Sequence, residues 1–339
     1  MNQAMLKRSA TTALLSAMKS VGAFSRSGRS EERRSKLLIL CYHGLSIDDE
    51  HEWLPKLFMT PRGFRDRLQT LREMNANVLP LGEAITRLHA GTLPPSSVVI
   101  TFDDGFYDFL KFGVPLLREF NVPSTLYLAT HYCDYRLPVV SLVLDYILWK
   151  SKKEFVSFPE QGLPGPMPNR TYQERQVTVW KIVEWAEKKG FRTVEKDEVA
   201  RKVAHGLGVN YDSLLDRRML QIMSPDEAKT AFEAGVDLQL HTHRHRTPRD
   251  KDLFQREIRE NSERIQQVSG KAPVHFCYPS GDYCADFLPW LSELGVTSAT
   301  TCERGLATTQ SQDLLLPRFL DDSSVDLIRF QSFVAGVLT

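Results

Sequence analysis

The chain lacks any uninterrupted apolar run long enough to span a bilayer. The mildly apolar stretch Ala10 to Phe24 is broken by Lys19 and Gly22, which also makes it a poor signal-peptide core. It lacks cysteines at metal-binding spacing. Cys41, Cys133, Cys277, Cys284 and Cys302 are scattered along 339 residues, which speaks against a thiolate zinc module and a dense disulfide framework. Several sit in or beside apolar strand-like runs, so buried thiols and a reducing compartment are expected. An excess of one charge is missing too: 43 Lys and Arg face 42 Asp and Glu, for a formal charge of +1, and nucleic-acid binding across the whole surface has no basis. No internal repeat or low-complexity tract is evident.

What is present is material for a large core. With 42% hydrophobic and 25% charged residues, one sizeable domain, or one domain with a substantial insertion, is the first expectation. Residues 1–36 form a basic leader, in which Lys7, Arg8, Lys19, Arg26, Arg29, Arg33, Arg34 and Lys36 outnumber Glu31 and Glu32. The leader reads equally as a helix of the domain or as a disordered segment. Weak peripheral attachment to an anionic membrane is the function its charge suggests, and a cytoplasmic protein at the inner membrane face is preferred to an exported one.

Strand and helix signals then alternate. Leu37 to Tyr42 is a short apolar strand running into His43-Gly44, and Thr60-Pro61 caps a helix continuing through Leu71. A helix over Leu81 to Leu88 precedes a clear strand, Ser97 to Phe102, ending at Asp103-Asp104-Gly105. A helical segment from Phe106 contains Pro115 at its middle or at a restart. A strand over Ser124 to Thr130 ends at His131. From about 139 to 234 the rhythm yields to an inserted helical layer, with helices expected around Leu142 to Leu148, Val177 to Trp185 and Leu214 to Met223, and a Pro/Gly-rich break from Pro159 to Pro168. The rhythm resumes at Val236 to Leu240, before His241-Thr-His-Arg-His245. A charged helix, a strand at Val274 to Tyr278, a helix at Phe287 to Leu294, strands at Val296 to Thr300 and Leu314 to Leu316, and a helix at Val325 to Val334 follow. Reactive residues at strand ends in such a series indicate a largely parallel α/β fold.

Two adjacent carboxylates after an apolar strand are costly to bury unless protonated, paired or coordinated. Taken alone, the pair reads equally as a reactive site or as a helix cap at Asp103 beside a solvated acid at Asp104. The three histidines shift that balance, because two imidazoles and one carboxylate are a known zinc set with room for water. A turn brings His241 and His245 together and sends His243 elsewhere; an extended path puts all three on one face.

On these two segments the chain resembles the polysaccharide deacetylase family, the NodB-homology or carbohydrate esterase family 4 group, over roughly residues 37–330. The resemblance implies an α/β fold, a distorted (β/α) barrel with a helical insertion at about 139–234 inside a catalytic domain of 37–335. It implies metal-dependent hydrolysis of N-acetyl groups from an amino-sugar-containing polysaccharide, glycolipid or glycan precursor. By it Asp103 is the general base, and Asp104, His241 and His245 hold one divalent ion, zinc first, with cobalt, nickel or manganese as alternatives. Cys41-Tyr-His-Gly44 is similar to the family's first-strand segment. Phe276 to Gly281 is similar to its third motif, whose backbone helps hold the acetyl oxygen, so the Tyr278 N–H is the expected oxyanion donor. The chain departs from the pattern in two ways: no histidine follows His275, and no arginine stands beside the base before Tyr278. His43 is the first candidate for the missing acid, with a bracing role the alternative; His131 and His275 are weaker. Arg318 is a candidate to pair with Asp103, orienting it while lowering its basicity. Arg244, Arg246 and Arg249 either meet an anionic glycan or balance nearby carboxylates. Trp53, Tyr132, Tyr135, Trp180, Trp185, Tyr283 and Trp290 are candidate sugar platforms. The alternative functions are another carbon–nitrogen amide hydrolase and a catalytically weak carbohydrate-binding protein.

Overall fold

The structure, a computed structural model, describes residues 3–159, 162–163 and 165–338. Part of the Pro/Gly-rich break and the side chains of Lys7 and Arg8 lie outside the described portion.

Seven strands carry the fold: β1 (Lys36–Tyr42), β2 (Ser97–Phe102), β3 (Ser124–Leu128), β4 (Val236–Leu240), β5 (His275–Cys277), β6 (Ser298–Arg304) and β7 (Leu316–Leu320). They pair in parallel in the order β1-β7-β6-β5-β4-β3-β2. β2 pairs back onto β1, Val98 to Phe102 alongside Leu38 to Tyr42, and closes the barrel.

Strand alternation sorts the side chains. Leu38, Leu40, Tyr42, Val98, Ile100, Phe102, Leu126 and Leu128 join the large outer core under the helices. Leu37, Ile39, Val99, Tyr127, Cys277 and Leu316 form a second cluster within the barrel, joined by Leu81, Ala84, Ile85 and Leu88. Those four belong to a helix that precedes β2. Each inner column becomes polar toward the carboxyl ends of the strands: Ile39 leads to Cys41 and His43, Val99 to Thr101 and Asp103, Leu316 to Arg318. The period of two therefore aims the reactive groups at one mouth of the barrel, where sites of parallel barrels form.

Among the helices are α1 (Gln3–Ser20), α2 (Pro61–Glu73), α3 (Leu81–His89), α4 (Val114–Phe120), α5 (Val140–Lys150), α6 (Tyr172–Lys188), α7 (Thr193–Leu207), α8 (Tyr211–Asp216), α9 (Pro225–Glu233), α10 (Lys251–Ser269), α11 (Phe287–Glu293) and α12 (Leu327–Val334). Thr60 caps α2, its hydroxyl accepting the Gly63 N–H at 3.0 Å. Pro115 marks a restart: a π-turn over Phe109–Gly113 precedes α4, and the proline sits in its first turn, where no intrahelical N–H is needed.

Two expectations for the insertion are corrected. The helix expected over Leu214 to Met223 stops at Asp216, because the next backbone groups pair elsewhere: Val139 N–H with Leu220 O at 2.9 Å, Tyr107 N–H with Gln221 O at 2.8 Å, and Met223 N–H with Gly105 O at 2.9 Å. α7 was not anticipated; its buried face is Val199, Ala200, Val203 and Ala204, small side chains that give a weak apolar pattern. Buried Asp145 on α5 accepts hydrogen bonds from Trp53 Nε1 at 3.2 Å, Arg175 Nε at 2.9 Å and Gln176 Nε2 at 2.9 Å, fastening the insertion to the segment after β1. The leader is helical in α1, and Leu15 and Phe24 form an apolar cluster with Ala335. Among the described residues no helix is long and apolar enough to cross a membrane.

Candidate active site

Asp103 and Asp104 leave β2 in a turn that uses unusual backbone. Asp104 has φ +69° and Gly105 +95°, and a Cβ on Gly105 would lie 2.2 Å from Leu128 Cδ1. Only glycine fits there. The histidine segment is similarly bent, with φ +58° at Thr242 and +54° at His245. Non-glycine residues in the left-handed region are uncommon and cluster at functional sites.

The two turns bring three donor atoms together. Asp104 Oδ1 lies 3.2 Å from His241 Nε2 and 3.1 Å from His245 Nε2, and one atom of each residue falls within 4.8 Å of the others. A tetrahedral ion with ligands at about 2.0–2.1 Å has ligand–ligand edges of about 3.3–3.4 Å, close to these separations. His241 Nδ1 lies 2.9 Å from the Cys277 carbonyl, which fixes the proton there and turns the Nε2 lone pair toward Asp104. The donor set therefore fits a divalent cation. Burial raises the Asp104 carboxyl pKa, but His245 and His241 outweigh it and hold the acid well below its usual range. Burial lowers the His245 pKa, and Asp104 more than reverses this.

His243 is sent elsewhere. Its Nδ1 lies 2.9 Å from Thr130 Oγ1, and its Nε2 is 3.9 Å from Glu260. Two residues that the sequence reading missed shape this segment. Buried Asn261 on α10 accepts the His241 N–H at 2.8 Å and donates to Leu128 O and Thr130 Oγ1, both at 2.9 Å. Buried Glu257 accepts the Arg244 N–H at 2.7 Å, Arg244 Nη1 at 3.0 Å and Arg246 Nε at 2.9 Å. The arginines beside the histidines thus balance carboxylates of the protein, and Arg249 pairs with Asp282.

Asp103 is 2% exposed. Arg318, fully buried on β7, grips it with two hydrogen bonds, Nη1 to Oδ1 at 2.7 Å and Nη2 to Oδ2 at 2.8 Å. Burial raises the carboxyl pKa, and the guanidinium overcomes this and leaves Asp103 far below the ordinary range. Arg318 is itself fixed by the Thr301 carbonyl at 2.9 Å and Thr101 Oγ1 at 3.2 Å. His43 Nε2 stands 3.7 Å from Asp103 Oδ2, and burial lowers its pKa.

Tyr278 requires a correction. Its N–H donates to Thr300 O at 3.2 Å between β5 and β6, so it is engaged in the sheet and is not aimed at an acetyl oxygen. Its hydroxyl donates to Leu314 O at 3.0 Å. His275 is also misplaced as an acid: it opens β5, at the end away from the Asp-Asp turn, with Nδ1 2.8 Å from Ser298 Oγ. His131 packs its ring 5.4 Å from that of His243, beside the histidine segment. Trp53 is a core residue bound to Asp145, whereas Trp180 is 68% exposed on α6.

A closed seven-stranded parallel barrel with these groups at the carboxyl ends of its strands defines a barrel of the polysaccharide deacetylase type. The model of the polysaccharide deacetylase family matches residues 171–299, a span that contains the histidine segment and β5. Its fold is similar to the Streptococcus pyogenes deacetylase PplD in complex with acetate, at TM-score 0.55 and 17% identity, over 84% of this chain and 91% of that one. It is similar to IcaB from Ammonifex degensii, at TM-score 0.55 and 15% identity over 89% and 96%. It is also similar to a de-N-acetylase from Aggregatibacter actinomycetemcomitans, at 0.54 and 15% over 88% and 99%. No curated protein matches the chain in sequence.

Proposed function

We propose that the chain is a metal-dependent hydrolase that removes N-acetyl groups from an amino sugar within a polysaccharide, glycolipid or glycan precursor. The observation that carries this reading is the convergence of Asp104, His241 and His245 beside Asp103, itself held by Arg318. Asp104 Oδ1 and the two Nε2 atoms would hold the divalent ion, zinc by preference. When bound, that ion supplies a Lewis acid that polarises the amide carbonyl and lowers the pKa of water.

The protein's own groups handle the protons. Asp103 orients the attacking water and receives its proton. Arg318 makes Asp103 a poor store for that proton, so it passes on readily. His43, neutral at rest because burial disfavours its charge, stands 3.7 Å from Oδ2 and is the next acceptor. From there the proton goes to the nitrogen, which cannot leave as an amide anion. The gap exceeds a hydrogen bond, so the contact must tighten with substrate in place.

The test is acetate release from a chitooligosaccharide. It should vanish in Asp103→Asn and after chelation, and return on adding zinc. Turnover confined to a small amide would replace the carbohydrate reading, and glycan binding without turnover across metals would leave a binding protein. A peripheral contact of the basic leader with anionic membrane finds support in exposed Leu14 and Val21 on and beside α1, and co-sedimentation with anionic vesicles tests it.

A further inference from the structure

Asp103 Oδ2 receives more donors than charge balance requires. Arg318 already matches the carboxylate charge, yet two thiols also close on Oδ2, Cys41 Sγ at 3.5 Å and Cys277 Sγ at 3.4 Å. They come from β1 and β5, which are not neighbours in the barrel, and both are buried to 1% exposure or less. Each thiol hydrogen has a competing acceptor: Tyr42 O at 4.0 Å for Cys41 and Tyr278 O at 3.8 Å for Cys277. The carboxylate is nearer and charged, so it takes both hydrogens. Burial pushes both thiol pKa values well up, in keeping with S–H groups that donate. The group is not a seat for a second cation, since Arg318 Nη2 lies 3.0 Å from Cys277 Sγ and puts a positive charge in that space.

We propose that Cys41 and Cys277 are positioning residues, whose S–H groups fix the rotation of the Asp103 carboxylate and keep Oδ2 turned toward His43. The proposal rests on the deacetylase reading above. Sulfur suits the task because S–H is a weak donor. It adds direction without drawing much further on a carboxylate that Arg318 has already made a feeble base. Two hydroxyls in the same places would weaken it more.

Infrared spectra of the full chain, prepared without metal, test the contact independently of turnover. Two S–H stretching bands at lowered frequency are expected, one lost in Cys41→Ala and the other in Cys277→Ala, and both moved up in Asp103→Asn. Bands unmoved by Asp103→Asn would overturn the proposal. Acetate release then separates positioning from packing. Cys277→Ser, which keeps a donor, should stay within about threefold of the wild-type kcat, and Cys277→Val should lose about tenfold with KM unchanged. The reverse order, valine tolerated and serine impaired, would assign the thiol to packing and sink the idea. A wild-type chain that releases no acetate would remove the deacetylase reading, and the infrared bands would then decide the thiol contact by themselves.

Discussion

At the residue scale, Asp103 and Arg318 are a buried ion pair whose members depend on each other. Both hydrogen bonds between them are short, and neither side chain has water to turn to. Removing one partner from such a pair leaves an uncompensated buried charge, at a cost of about 3–5 kcal/mol. Arg318→Met should therefore lower unfolding stability by about that much in urea titration, and adding Asp103→Asn should recover much of it. A double variant as unstable as the sum of the singles would show that the two residues do not act as a unit. His275 gives a second expectation at this scale, in pH. Burial lowers its pKa to about 4, against about 6.5 when unfolded. Above pH 6.5 both states are neutral and the stability is present. As pH falls from about 6.5 toward 4 the unfolded chain binds a proton that the folded one refuses, and stability drops by up to about 3 kcal/mol. Guanidinium midpoints measured across that window should fall less steeply in His275→Asn.

At the scale of elements, the turn after β2 joins two parts of the chain. The Gly105 carbonyl accepts the Met223 N–H, and its α-hydrogen faces Leu128 where a Cβ would collide. Gly105→Ala should cost about 2 kcal/mol or more, from left-handed strain and overpacking, and should weaken zinc binding measured by competition with a chelator, because Asp104 is the preceding residue. This turn also marks what the sequence could reveal. Asp104, His241 and His245 were legible because each lies in a contiguous segment after a recognisable strand. The pairing of Arg318 with Asp103 was only a candidate, since it depends on two strands far apart in sequence meeting across a closed barrel. Nothing in the run Phe276-Cys277-Tyr278 tells that the thiol faces inward or that the next N–H is taken by Thr300; barrel closure and strand register decide both. The path of Leu220 to Met223 was hidden for a similar reason, as its leucine, isoleucine and methionine read as a helical face until backbone partners at Val139, Tyr107 and Gly105 claimed it.

At the scale of the whole molecule, one side chain of the leader ties the C-terminal helix to the start of the barrel. Arg33 is 2% exposed and has no carboxylate partner among the described residues. It donates instead to three carbonyls: Val334 O at 3.1 Å at the end of α12, Lys36 O at 2.6 Å at the start of β1, and Ser97 O at 3.0 Å at the start of β2. Burial lowers its pKa to about 10, still far above neutrality, so the cation persists and its hydrogen bonds are charge-assisted. Arg33→Ala would strand these buried acceptors at the end of the barrel opposite the Asp-Asp turn, for about 3 kcal/mol or more if each bond is worth about 1–1.5 kcal/mol. Arg33→Lys should recover only part, because one ammonium cannot reach three diverging carbonyls. The loss should appear in the global unfolding midpoint while zinc affinity stays unchanged, since the candidate ligands Asp104, His241 and His245 sit at the other mouth. A parallel fall in zinc affinity would mean that the two ends of the barrel are coupled more tightly than their separation along every strand suggests.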